Sequence, residues 1–202
     1  MERPWHLGRS GSLMRVPFVL ALALSTASAA AGAIQNVNPR AAALQEFATR
    51  TQEYMALHAR IEAGLAPHPQ DATAEQINQH RRELADGIRA ARRGAKQGDV
   101  FTAPVVPQFR ATIRRDLEAR DTRDALAALQ EVPPTQTLRV NAPWPASAVR
   151  ATVPPRILKN LHRLPEGLEY RFIGRHLVLV DSHANLIVDF ITNVVPSMLR
   201  RR

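Results

Sequence analysis

The chain of 202 residues contains no cysteine, and this absence excludes several kinds of chemistry. A disulfide framework, a thiolate metal site and a cysteine nucleophile are all ruled out, as is a lipid-modified N-terminal cysteine. Beyond residue 33, serine occurs only at Ser147, Ser182 and Ser197. The sequence also lacks a G-x-S-x-G motif and a glycine-rich phosphate loop. No constellation of residues therefore supports an enzyme, and none calls for a cofactor.

A long apolar run is confined to the N-terminus. It extends from Val16 to Ala33, follows a basic stretch and ends in small residues. This pattern predicts a secretory signal peptide over residues 1–33, cleaved after Ala29 or Ala33. An uncleaved anchor is the alternative, although the strongly apolar core is shorter than the ~20 residues of a spanning helix. We expect a periplasmic or secreted protein whose membrane contact is peripheral unless the leader is retained.

Basic residues outnumber acidic ones, and the formal net charge is +9. The leader holds three of the cations and one acid, so the remainder carries +7. All but two cations are arginines, which suit carboxylates and phosphates, although a GC-rich genome would also enrich arginine. We expect no nucleic-acid partner, because the chain is predicted to be exported and its aromatic residues are too scattered to stack bases.

Two groups of arginines follow the spacing of a helix face. The first group is predicted to bind an acidic protein or an anionic envelope surface, and consists of Arg81, Arg82, Arg89, Arg92 and Arg93. The second repeats the pattern on the next helix, with Arg110, Arg114 and Arg115. The alternative is that both groups form solvated faces balanced by Glu83, Asp86 and Asp116.

The chain divides by composition into a helical region, residues 34–131, and a region rich in proline and β-branched residues, 132–202. Pro133 and Pro134 mark the boundary because they forbid helix continuation. We expect an α+β fold, in which a helical hairpin and two shorter helices are followed by a three-stranded antiparallel meander packed on the helices.

The helices are predicted from caps and apolar stripes. Asn38 and Pro39 begin the first helix, and Thr73 with Gln76 forms a capping box at the second. A third helix is predicted over 108–119, and a fourth begins at Asp121.

Strand patterns fill the second region. Alternation predicts a strand over 137–141, and Pro154 begins a short helical turn. The meander follows, with an alternating strand from Leu168, a central strand apolar on both faces at 177–180, and a third strand at 186–191.

The run at 164–181, LPEGLEYRFIGRHLVLVD, and the run at 185–191, NLIVDFI, carry a resemblance. Together they resemble the C-terminal segment of a group of uncharacterised exported bacterial proteins. More distantly, they are similar to the small meander of the periplasmic nickel/cobalt-homeostasis protein family. The resemblance implies an envelope protein with a small β-module. It transfers no catalytic or metal-binding residue, and a nickel or cobalt role would rest on analogy alone.

Histidines are the remaining candidates for chemistry. The spacings between His58, His68 and His80 do not match those of a zinc site. His58 lies on the apolar stripe of the first helix, so we expect it to be a packing residue, with a pH-sensitive pair to His80 as the alternative. On the meander, a weak metal site is predicted from His176, His183 and Asp189, which lie close to Asp181 in the sequence, and an acid–base pair of His176 with Asp189 is a further interpretation. The alternative is a turn of exposed polar side chains, with Asp189 paired to Arg171 or Arg175.

These observations lead to two hypotheses about function. The first is an exported, non-enzymatic scaffold that binds a protein or the envelope surface. The second is a small periplasmic protein that binds a metal or another ligand through the meander.

Overall fold

The computed structural model describes residues 38–67, 71–118, 137–145 and 153–195. All of them belong to one compact unit. Within these residues, four helices precede a three-stranded antiparallel sheet at the C-terminal end. The predicted α+β class is therefore confirmed. The predicted signal peptide and the predicted helix from Asp121 lie outside the described residues.

The first two helices are α1, Pro39–Glu62, and α2, Ala74–Ala91. Asn38 caps α1, because its side chain accepts a hydrogen bond from a backbone amide of the first turn. Pro39 occupies the first helical position, where a backbone N–H would have no acceptor within the helix. Thr73 and Gln76 form the predicted capping box, in which each side chain accepts from the other residue's amide.

Helices α1 and α2 pack as an antiparallel pair. Near one end, Ile61 of α1 lies so close to Gly87 of α2 that an added Cβ would fall 2.5 Å from Ile61 Cγ2. Further along, the Arg92 guanidinium, just beyond α2, lies 5.0 Å from the ring centroid of Tyr54. Glycine at position 87 is required because the two helices approach each other closely there.

Two shorter helices complete the helical part: α3, Val106–Leu117, and α4, Pro155–Asn160. α3 begins two residues before the predicted start because Pro107 fits its first turn. No described helix combines the length and apolarity needed to cross a membrane.

Aromatic side chains join α1 and α3 in the core. The ring of Phe47 stacks on Phe101 with centroids 5.3 Å apart, and it meets Phe109 edge-on at 5.0 Å. Tyr170 of the sheet contacts the same cluster through Phe109. The helices and the sheet therefore share one hydrophobic core.

The sheet consists of β1, Leu168–Ile173, β2, His176–Asp181, and β3, Leu186–Ile191. β2 lies in the middle and pairs antiparallel with both neighbours. Leu179 of β2 pairs with Asp189 while the next residue, Val180, pairs with Ile187, so Val188 forms a β-bulge. A bulge changes the direction in which neighbouring side chains point. The residue after this bulge, Asp189, has a buried carboxylate.

The two faces of the sheet have different covers. One face, including Leu177 and Leu179, packs into the core that the helices share. On the other face, Val178 and Phe190 pack with Trp144 and with side chains of residues 138–142. The central strand is therefore buried on both sides, as its apolar sequence predicted, but only one of the covers is helical.

Residues 137–141 do not form the predicted regular strand. Residues 141–144 pair with the outer edge of β3 through a single bridge between Pro143 and Leu186. Beside this bridge, the Ile187 carbonyl accepts from the Asn141 amide, and the Ile187 amide donates to the Ala142 carbonyl. Regular pairing does not extend back over 137–141 because the chain turns there: the Ala142 amide donates to the Arg139 carbonyl, and Asn141 adopts a left-handed backbone conformation. The alternating pattern reflected packing against the sheet rather than membership of it.

Candidate functional site

The most concentrated polar group in the core lies where α1 meets the end of β2. We call it the Asp181 cluster, and it comprises Tyr54, His58 and Asp181. Asp181 Oδ2 accepts a hydrogen bond of 2.8 Å from the Tyr54 hydroxyl and lies 2.7 Å from His58 Nδ1. The His58 and Asp181 side chains are 2% and 0% exposed. A carboxylate and an imidazole therefore meet in the core.

The position of Asp181 follows from the turn that ends β2. Its other oxygen, Oδ1, accepts hydrogen bonds from the amides of His183 and Ala184, at 2.9 and 2.8 Å. An aspartate that bonds the backbone two and three residues ahead is a frequent turn former. The side chain is thereby fixed by its own turn, with Oδ2 left to face α1.

On α1, Tyr54 and His58 are one helical turn apart, so both reach the same carboxylate. Burial raises the pKa of the Tyr54 hydroxyl and keeps it neutral. The hydrogen bond that His58 donates to Asp181 raises the pKa of His58 against the opposing effect of burial. Burial would raise the pKa of Asp181, but the hydrogen bonds from His58, the Ala184 amide and Tyr54 outweigh it and lower this pKa. Both shifts favour the pair of imidazolium and carboxylate.

A second carboxylate connects the cluster to the surface. Glu62 Oε2 lies 3.3 Å from His58 Nε2, without the alignment of a hydrogen bond, and Glu62 Oε1 lies 3.8 Å from His80 Nε2. The His183 ring lies 5.7 Å from the His58 ring. The suggested pair of His58 and His80 thus has Glu62 between its members.

This geometry does not suit catalysis by His58. Both of its ring nitrogens face carboxylates, so neither is directed at a substrate proton. The hydroxyl of Ser182, on the adjacent turn, donates to the Gly167 carbonyl. The interpretation of His58 as a mere packing residue was nevertheless incomplete, because its burial depends on the ion pair.

The structure does not bring together the predicted metal ligands His176, His183 and Asp189. His176 begins β2 and His183 follows its end, which separates them by about 20 Å at 3.3 Å per residue. His176 Nδ1 accepts from the Asn193 amide, and burial followed by the charge of Arg175 lowers its pKa. Within the described ranges, no three acidic or histidine side chains are placed to hold a metal ion.

Asp189 is occupied by backbone donors. Its carboxylate accepts from the amides of Gly98, Val100 and Phe101 in the loop between α2 and α3, and from its neighbour Phe190. The suggested ion pairs with Arg171 and Arg175 do not form, since these bind Glu169 and the Val195 carbonyl. Burial raises the pKa of Asp189, although the four amides oppose this rise.

Of the five arginines that lie on α2 or directly after it, three have hydrogen-bond or ion-pair partners within the chain. Arg82 pairs with Glu75. Arg89 donates to the Asn141 carbonyl and pairs with an acid on its own helix. Arg92 donates to Asn141 Oδ1 and to the Val188 carbonyl. Arg81 and Arg93 are exposed.

Asn141 explains why two of these arginines turn inward. Its side-chain amide donates to the Arg92 carbonyl, next to the C-terminus of α2, while its oxygen accepts from the Arg92 guanidinium. Its backbone has a φ of 62°, a left-handed conformation that asparagine tolerates better than most residues. Arg89 and Arg92 thus fasten residues 137–145 to α2 and β3 instead of presenting a free basic face.

The sequence offered little signal for the Asp181 cluster. His58 and Tyr54 lie 123 and 127 positions from Asp181, so no local spacing connects them. The one available indication was two polar side chains, one turn apart, on an otherwise apolar stripe.

No family model matches the chain, and neither a curated protein nor a solved structure shows significant similarity to it.

Proposed function

We propose that the chain is an exported, non-enzymatic protein that binds an acidic protein through a basic surface on α3 and α4. This surface, here called the α3–α4 surface, consists of Arg110, Arg114, Arg115, Lys159 and Arg163. All five residues are exposed, and the two helices pack against each other. The observation that carries the proposal is the imbalance of charge on this surface.

Among the described residues, acids are scarce around these cations. Glu118 is the one exposed acid on α3 or directly after it, and the buried Asp116 forms an ion pair with Arg115 at 4.0 Å. No acid occurs between Val153 and Pro165. The α2 face, in contrast, has acids beside its arginines. A dense patch of one sign speeds encounter with an oppositely charged partner and makes binding sensitive to salt.

A protein fits this surface better than a lipid bilayer does. Stable membrane association usually combines basic charge with an inserted apolar element. Of the described residues, the exposed large apolar side chains are Ile77 and Leu158, and only Leu158 lies on α4. A single leucine is a weak anchor, so we expect electrostatic contact with acidic side chains.

One further observation favours binding over catalysis. The buried carboxylates and imidazole are committed to internal partners, as the Asp181 cluster illustrates. The signal peptide predicted over residues 1–33 supports a partner in the periplasm or outside the cell.

Affinity capture from envelope extract, followed by reconstitution with the purified partner, tests this proposal. The baits are the wild type, Arg114→Glu/Arg115→Glu on the α3–α4 surface, and Arg81→Glu/Arg93→Glu as the matched control on α2. We expect one acidic protein to bind the wild type and the control, to be lost from the α3 variant, and to dissociate as salt rises from about 0.05 to 0.5 M.

Retention by the α3 variant, or the absence of any salt-sensitive protein, would contradict the proposal. A parallel experiment measures sedimentation with phosphatidylglycerol vesicles. Strong binding to the vesicles would show that the partner is an anionic membrane and not an acidic protein. Export is checked by the N-terminal sequence of the chain recovered from cells, which should begin after Ala29 or Ala33.

A further inference from the structure

A small pocket opens between the start of α1, α3 and the end of α4. Its volume is about 200 Å³, and its lining includes Arg40, Thr112, Asn160 and His162. The pocket is below the ~300–1,000 Å³ typical of sites for drug-sized ligands, and would hold about seven water molecules at ~30 Å³ each. It therefore suits a ligand of only a few non-hydrogen atoms.

Arg40 gives the pocket its charge. It is the one lining residue with a permanent charge, and it has no ion pair within the described part of the chain. Two more cations, Lys159 and Arg163, immediately flank the lining residues 160–162 and are exposed. The local field therefore favours an anion, and the guanidinium offers the forked donors that match a carboxylate.

Polar and apolar groups share the remaining walls. Asn160 and His162 can donate hydrogen bonds in addition to the Arg40 guanidinium, whereas Leu44 and Phe109 are apolar. Asn160 is held in place because its Nδ2 donates to the carboxylate of Asp116, which is 3% exposed and does not line the pocket. Several polar groups on an apolar wall are typical of a site for a small organic molecule.

From these features we propose that the pocket binds a small organic carboxylate with a short apolar body. The carboxylate lies against Arg40, with Asn160 and His162 as further donors, and the apolar part packs on Leu44 and Phe109. A bare inorganic anion would leave these apolar walls unused. The pocket borders the α3–α4 surface, which includes the flanking Lys159 and Arg163, but ligand binding at Arg40 extends the proposed function without depending on it.

NMR titration of the ¹⁵N-labelled full chain tests the site. The probes are butyrate and benzoate, with butyramide and benzamide as uncharged isosteres and phosphate as the bare anion. We expect the carboxylates to shift amides around positions 40–44, 108–112 and 160–162 with a dissociation constant of about 1 mM or tighter, an ordinary efficiency for such small ligands. The amides and phosphate should bind at least about tenfold more weakly.

Variants of Arg40 identify its contribution. Arg40→Gln should weaken butyrate binding about tenfold, and Arg40→Lys should have an intermediate effect because it keeps the charge but loses the fork. Arg60→Gln, an exposed arginine about 30 Å away at the other end of the same helix, is the control and should bind like the wild type. Circular dichroism verifies that each variant is folded.

Four outcomes would overturn the inference. These are no carboxylate binding below about 10 mM, equal binding of the amides, unchanged binding in Arg40→Gln, and an equal loss in the Arg60→Gln control. Partner capture by Arg114 and Arg115 is measured separately, so failure at this pocket is distinguishable from failure of the proposed function.

Discussion

Asp181 and Asp189 are both fully buried in the same sheet, yet they are stabilised by different donors. Asp181 is shared between its own turn and two side chains of α1, Tyr54 and His58. Asp189 accepts hydrogen bonds from backbone amides alone, mostly in the loop between α2 and α3. One carboxylate therefore fixes a helix to the sheet, and the other fixes a loop.

The difference has an electrostatic consequence. The hydrogen bond from His58 lowers the pKa of Asp181, whereas the direct partners of Asp189 are backbone amides, Arg92 interacts with it without a hydrogen bond, and burial raises its pKa. Side-chain partners can be removed one at a time by substitution, but backbone amides cannot. The predictions that follow use this difference, starting with the largest effect.

Replacing Asp189 should be the most damaging of these changes. Asp189→Ala leaves four buried N–H groups without their acceptor, and each unsatisfied donor costs on the order of 1–3 kcal/mol before relaxation. We expect the free energy of unfolding to fall by about 4 kcal/mol, measured by urea denaturation. Asp86→Ala, at an exposed ion pair, is the control and should change it by less than about 1 kcal/mol. Comparable losses in the two variants would refute the account of the 98–101 loop.

Replacing Asp181 should cost less, since the partner imidazole can lose its proton. Asp181→Ala should lower the free energy of unfolding by about 3 kcal/mol, because it leaves His58 buried without its counterion. The double variant Asp181→Ala/His58→Leu should lose less than the sum of the two single variants, by about 1 kcal/mol or more. Strict additivity would mean that the two side chains do not act as a pair.

Two tyrosine hydroxyls allow a hydrogen bond to a charged acceptor to be compared with one to a neutral acceptor. The Tyr54 hydroxyl donates to a carboxylate, whereas the Tyr170 hydroxyl donates to the neutral carbonyl of His162. Hydrogen bonds to charged groups contribute more, so Tyr54→Phe should cost about 2 kcal/mol and Tyr170→Phe about 1 kcal/mol in thermal unfolding. If the order is reversed, the charge on Asp181 is not the reason for the strength of the contact.

The smallest effect is the dependence of stability on pH, and its sign differs between the aspartates. The lowered pKa of Asp181 means that its contribution is present above pH 3.8 and is lost as pH falls through the folded value. The raised pKa of Asp189 has the opposite result: its contribution is complete below pH 3.8 and declines as pH rises through the folded value.

For His58, whose pKa is raised, the contribution is present below pH 6.5 and is lost as pH rises through the folded value. Comparison of Asp181→Asn, Asp189→Asn and His58→Gln with the wild type from pH 2 to 9 should show these three pH dependences of the free energy of unfolding, each with the stated sign. Direct ¹³C titration should give a higher pKa for Asp189 than for Asp181. Equal pKa values for Asp181 and Asp189 would contradict the proposed electrostatic difference between the two carboxylates.

Local patterns carried much of the fold. Asn38 with Pro39, Thr73 with Gln76, and the alternation from Leu168 are signals within a few residues, and the structure bears out each of them. The pattern over 137–141 failed because alternation reports which side chains are buried. It does not report whether the chain stays extended beside its partner strand, which the turn at 139–142 prevents.

The sequence by itself determined the caps, the turns and the apolar faces, because these depend on neighbours along the chain. Only the tertiary structure decided that His58 meets Asp181 across 123 positions, that Arg92 turns inward to Asn141, and that Arg40 comes to line a pocket with Asn160. Buried polar side chains acquire their partners from packing, and packing joins segments whose separation along the chain leaves no local trace.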